Sequence, residues 1–126
     1  MSHLTKIKID QKMKSKSLIK SACKKLGLQV EENGLVRSFS SKEKCDLVIK
    51  LKKYDVGLKY NPKTKCYDLY YDKFGGHVEK VLGLNCSKLL QYYTLAEIEE
   101  KARINKYMVN WKEVDGDLEV ELYESY

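Results

Sequence analysis

The chain is short of the residues that usually carry chemistry. Two histidines, His3 and His77, and two arginines, Arg37 and Arg103, are all that 126 residues contain, beside one proline, Pro62. With so little arginine, 22 of the 24 basic residues are lysine. Lysine is a flexible point charge without the planar fork that reads guanine or grips phosphate in two-pronged fashion, so a sequence-specific nucleic-acid reader is disfavoured. The four cysteines, Cys23, Cys45, Cys66 and Cys86, stand 22, 21 and 20 residues apart. No C-x-x-C and no Cys–His pair at ligand spacing occurs, which leaves zinc and iron–sulfur sites without support. There is no glycine-rich phosphate loop, since Lys73-Phe74-Gly75-Gly76-His77 pairs its glycines without matching either nucleotide-binding pattern. No apolar run approaches the roughly 20 residues that cross a bilayer. The opening residues lack the apolar core and small-residue cleavage site of a secretory signal, so the protein is expected not to be secreted. The thiols are then expected to be reduced and to serve as small buried hydrophobes. No cofactor and no metal is expected.

What remains is the composition of a globular protein: 43% apolar and 33% charged residues, enough for one domain over 1–126. The net charge of +6 conceals a polarity. Residues 1–65 hold 17 Lys and Arg against 6 Asp and Glu, whereas residues 66–126 hold 7 against 12. Such asymmetry either neutralises itself within one fold or attracts a charged partner.

Periodicity predicts an α+β fold, a largely antiparallel sheet of five to seven strands with two main helices on one face. Ile7 and Ile9 alternate as a first strand. Leu18, Ile19, Ala22, Cys23 and Leu26 make one apolar stripe, with Ser15 or Ser17 to cap the helix and Gly27 to stop it. Leu28 and Val30 then alternate with polar residues up to Asn33-Gly34, a strong hairpin-turn signal, with Leu35–Phe39 as the expected return strand. A polar loop is expected over Ser38–Lys44, followed by a meander of strands over 46–52, 54–60 and 66–72. A short helical piece is expected between His77 and Leu84. A single helix from about Ser87 to Asn105 is expected, although Thr94-Leu95-Ala96-Glu97 has capping-box spacing and offers a break. At the end, Asp115-Gly116 predicts a hairpin whose opposed residue numbers sum to 231. Trp111 then faces Val120 on an apolar side and Lys112 faces Glu119 on a charged one. The N-terminal strand is expected to pair within the main sheet, beside the C-terminal hairpin.

Ten tyrosines are the most distinctive side chains. Tyr54, Tyr60, Tyr67, Tyr71, Tyr92 and Tyr93 fall on predicted elements near Lys52, Lys53, Lys59 and Lys65. Three readings are open: half-buried packing, a protein interface anchored by tyrosine, and a stacking platform for single-stranded nucleic acid. His77 beside paired glycines is a candidate general base, and His3 a candidate partner for a cysteine. The acidic run Glu113, Asp115, Asp117, Glu119, Glu121 reads as solvated strand charge that also protects an edge.

Several segments carry a resemblance. Met1-Ser2-His3-Leu4-Thr5-Lys6-Ile7 resembles the opening Met-Ser-His-Phe-Ser/Thr-x-Ile of a small plastid- and cyanobacterium-encoded family, a hypothetical chloroplast reading frame of unassigned function. Leu26-Gly27-Leu28, Val30-Glu31-Glu32, Val36-Arg37, Gln91-Tyr92-Tyr93 and the terminal Asp-Gly hairpin are similar to later parts of that family. Thr94-Leu95 replaces its usual Ala-Tyr, and Tyr123-Glu124-Ser125-Tyr126 its basic-aromatic ending. The resemblance implies a plastid stroma or prokaryote-like cytoplasm, and no reaction. The functional expectation is a non-enzymatic protein-interaction or assembly factor with a protein partner. The alternatives are a single-stranded nucleic-acid-binding module and an enzyme using a loop histidine.

Overall fold

A computed structural model describes residues 13–39 and 42–124, together with the backbone of 4–7. In chain order these form β1 (Leu4–Ile7), α1 (Lys16–Lys25), β2 (Gln29–Arg37), β3 (Lys42–Lys50), β4 (Val56–Asn61) and β5 (Cys66–Asp72). They continue as α2 (His77–Leu82), α3 (Ser87–Ile104), β6 (Tyr107–Val114) and β7 (Asp117–Glu124). Five strands make one sheet in the order β1-β5-β4-β3-β2, and β6-β7 make a second of two strands. All pairings are antiparallel. The α+β class is as the periodicity implies, but the seven strands divide between two sheets. No helix among the described residues is long and apolar enough to cross a membrane.

The helices begin and end for local reasons. Ser15 Oγ accepts from Leu18 N and caps α1. At its other end Gly27 takes φ +72°, which lets Gly27 N donate to Lys24 O and Leu28 N to Cys23 O, closing the last turn. Through Thr94 the helix α3 runs unbroken, because the Thr94 hydroxyl donates back to Leu90 O instead of capping a new helix. Ile19, Ala22 and Cys23 of α1 and Leu89, Tyr92, Tyr93 and Leu95 of α3 are buried with Leu47, Ile49, Leu58, Leu69 and Tyr71 of the sheet. Each large apolar side chain so enclosed contributes about 1.5–3 kcal/mol.

The largest departure from the sequence reading lies at Asn33-Gly34. No hairpin turn forms there, and β2 runs on to Arg37, paired with β3 from Gln29↔Lys50 to Arg37↔Lys42 without a change of register. A two-residue hairpin turn of this kind needs two successive left-handed residues. Asp115 and Gly116 provide them, with φ of 52° and 84°, whereas of Asn33 and Gly34 only Asn33 has a positive φ, 53°. The single left-handed residue bends the β2–β3 ribbon instead of reversing it.

Side-chain alternation inverts at the bend. Val30 and Leu47 join the helix-side core, while Val36, Cys45 and Val48 form a separate cluster on the opposite face. Gly57 of β4 lies beneath that cluster: a Cβ there would sit 2.4 Å from Cys45 Sγ and 2.5 Å from Val36 Cγ2. The far end of β2 thus crosses the ends of its neighbours, with Asp55 N donating to Arg37 O and Phe39 N to the Asp72 carboxylate.

Other boundaries shift accordingly. Residues 42–44 belong to β3 and not to a loop, and the strand expected over 46–52 ends at Lys50. The strand expected over 54–60 begins at Val56, because the chain from Leu51 to Asp55 wraps around the Asp55 carboxylate. The 66–72 strand is as expected. β1 joins the main sheet through Leu4↔Asp72, but its neighbour is β5; the C-terminal hairpin stands apart on α3.

Candidate functional site: a lysine-rimmed cleft

The bend at Asn33 brings Arg37 to the segment between β3 and β4. Arg37 Nε donates to Asp55 Oδ2 at 2.9 Å and Nη2 to Oδ1 at 2.8 Å, and Nη2 also donates to Leu51 O. Arg37 N, Leu51 N and Lys50 Nζ complete the shell of this fully buried carboxylate. Burial alone would push its pKa up. The Arg37 side chain, the two backbone donors and the guanidinium charge outweigh that effect and hold it below the ordinary 3.8.

Around this pair opens a cleft of about 930 Å³ between the end of the sheet and α2. Leu28, Leu51 and Val81 give it apolar walls, and Arg37, Lys50, Lys52, Lys53 and Lys80 line it with positive charge. Two of those cations are occupied by Asp55. Lys52, Lys53 and Lys80 are exposed and have no carboxylate partner among the described residues. Lys53 Nζ lies 5.8 Å above the Tyr54 ring, and His77 meets the same ring edge-on at 5.0 Å.

Comparison with protein-family models, with curated proteins and with solved structures gives no match.

Of the residues singled out from the sequence, His77 therefore lines the cleft, and Tyr54 is buried behind it against the His77 ring. Gly75 and Gly76, at φ of 69° and 67°, turn the chain so that His77 opens α2. Neither ring nitrogen of His77 has a hydrogen-bond partner among the described residues. Tyr60 and Tyr67 form an edge-on pair at 5.3 Å across β4 and β5, elsewhere on the sheet. Tyr71, Tyr92 and Tyr93 are enclosed. Tyr71 donates to Glu79 at 3.1 Å, and burial, reinforced by nearby Cys86 and Glu79, pushes its phenol well up. Tyr93 accepts from Lys14 N and Ser15 N ahead of α1. Tyr92 packs edge-on against Trp111 at 5.6 Å. These three tyrosines hold the fold together and offer no ring face to a partner. His3 lies outside the described residues.

No group of three metal-ligating side chains occurs among the described residues. All four cysteines are free and buried. Burial pushes the Cys23 and Cys86 thiols up to about 12 and Cys45 to about 11, so these thiols are poor nucleophiles.

Sequence reading missed Asp55, Lys50 and Lys80. Asp55 sits at an alternating position of an apolar strand pattern, where an outward carboxylate is the ordinary expectation. The one available signal was the rarity of arginine: Arg37 is one of only two planar forks in the chain, and it grips Asp55.

Proposed function

We propose that the chain is a non-enzymatic binding module whose cleft takes an acidic, partly apolar segment of a partner protein. The observation that carries this reading is the set of three exposed lysines, Lys52, Lys53 and Lys80, with no carboxylate partner among the described residues, around walls of Leu28, Leu51 and Val81. Unpaired exposed cations raise the local concentration of anionic partners, and apolar walls reward a segment that also carries apolar side chains. The Arg37 guanidinium is committed to Asp55, so recognition rests on lysine point charges that suit single carboxylates. The resemblance seen in the sequence extends the proposal to membership of the chloroplast reading-frame family and to a plastid stroma or prokaryote-like cytoplasm.

A second reading, binding of single-stranded nucleic acid, draws on the sheet face where Lys59, which also pairs with Glu43, places its Nζ 5.0 Å from the Tyr70 ring. Fluorescence anisotropy with two labelled probes of equal charge, an Asp/Glu-Leu peptide and a single-stranded oligonucleotide, separates the two. Tighter binding of the peptide is expected. Tighter binding of the oligonucleotide, displaced steeply by salt, would transfer the site to nucleic acid.

A further inference from the structure

The chain carries on its own surface a segment of the kind the cleft would take. The β6–β7 hairpin holds six carboxylates against one lysine over residues 107–124. Its register sorts these by face. Val109, Leu118 and Val120 pack towards the core and Glu113 pairs with Lys88 of α3 at 3.1 Å, so this side holds the hairpin on its own molecule. The other side faces solvent with the cross-strand pairs Met108↔Tyr123, Asn110↔Glu121, Lys112↔Glu119 and Val114↔Asp117.

On that outward side Asp117 and Glu121, and Asp115 at the turn, have no partner among the described residues, and Lys112 reaches Glu119 only at 3.7 Å. Met108 is 56% and Tyr123 40% exposed on the same side, next to Glu121 and at the end of the hairpin away from Asp115 and Asp117. A face with an apolar pair at one end and carboxylates along it to the turn therefore complements a cleft whose apolar walls carry lysines without a carboxylate partner among the described residues. Hairpin and cleft occur on every molecule, and the hairpin is fastened to α3 by its inner side, so its outward side is offered to another molecule.

We infer that two copies of this chain associate reciprocally, the outward face of each β6–β7 hairpin lying in the Lys52–Lys53–Lys80 cleft of the other. The inference rests on the proposed reading of the cleft as a site for acidic protein segments. With the two copies related by a two-fold axis both contacts form at once, and the assembly closes as a dimer.

Sedimentation velocity of the full chain across a concentration series tests it, with two charge-reversed variants. One carries Lys52→Glu, Lys53→Glu and Lys80→Glu; the other carries Asp115→Lys, Asp117→Lys and Glu121→Lys. The wild type should reach a dimer, with a dissociation constant that rises on adding salt. Each variant alone should associate about tenfold more weakly or not at all, since like charges then face each other. An equimolar mixture of the two should restore a one-to-one dimer, because both contacts are again complementary. Circular dichroism of each variant guards against loss of fold, and the mixture itself reports on folded molecules. A monomeric wild type at low salt and high concentration, association that ignores both reversals, or a mixture that stays monomeric would each overturn the inference. The hairpin variant keeps its cleft intact. If it still binds the acidic peptide while the wild type is monomeric, the self-association fails and the reading of the cleft survives.

Discussion

Arg37 and Asp55 meet through two parallel hydrogen bonds, Nε to Oδ2 at 2.9 Å and Nη2 to Oδ1 at 2.8 Å, and this pair joins the bent end of β2 to the start of β4. Asp55 also accepts from Arg37 N and Leu51 N, so one buried carboxylate fixes three stretches of chain at the cleft. Its replacement is correspondingly expensive. Asp55→Asn leaves the guanidinium without its countercharge and should destabilise the fold by about 2–3 kcal/mol, read by urea unfolding at neutral pH. Loss of less than about 0.5 kcal/mol would show the pair to be dispensable.

The same carboxylate sets a pH dependence. Its folded pKa lies below the ordinary 3.8, so just under that value the unfolded chain binds more protons than the folded one. The stability Asp55 contributes is therefore complete above pH about 4 and is lost as pH falls through the folded value. Lys16 and Lys20 hold Glu32 down to about 2 in the same sense on the exposed side of α1. Unfolding followed from pH 6 to pH 2 should show a steep acid limb in the wild type and a shallower one in Asp55→Asn. Identical limbs would remove Asp55 from the account.

Gly57 tests the bend itself. Its Cα faces Val36 and Cys45 of the folded-over ribbon, and a methyl group there meets both at under 3 Å. Gly57→Ala should destabilise by about 1–3 kcal/mol, and adding Cys45→Ala and Val36→Ala should return part of that loss in a mutant cycle. Simple additivity would mean that the ribbon does not lie over β4.

Much of the fold was legible because most elements obey one rule at a time. The C-terminal hairpin kept every expected pairing, from Tyr107↔Glu124 to Val114↔Asp117, since Asp115 and Gly116 both turn left-handed. Asn33-Gly34 carries the same signal, but the signal reports an aptitude for positive φ and not how many residues use it. Once Asn33 alone is left-handed, the strand bends, Arg37 swings across to Leu51 and Asp55, and the cleft comes into being. That step depends on contacts between residues up to 18 apart, which no local pattern contains. The tyrosines were legible as a class, but whether each packs or faces solvent was decided by tertiary position: Tyr60 and Tyr71 share one face of the sheet, yet Tyr71 is enclosed and Tyr60, at the end of β4, is exposed.

The thiols offer an independent check on the enclosure of the core. With Cys23 and Cys86 pushed up to about 12 and all four side chains buried, Ellman's reagent at pH 8 should react negligibly with the native protein. In denaturant all four should react within the mixing time. Prompt reaction of a thiol in the native state would show that the layer around it opens.

The binding role of the cleft is tested most directly by the affinity of the acidic-apolar peptide for the wild type against the triple variant Lys52→Glu, Lys53→Glu, Lys80→Glu. Three exposed ion pairs worth about 0.2–1 kcal/mol each predict a loss between about threefold and about 150-fold, with circular dichroism unchanged. Equal affinity of the two proteins, or no binding to the wild type at low salt, would contradict the assignment of this cleft as the binding site.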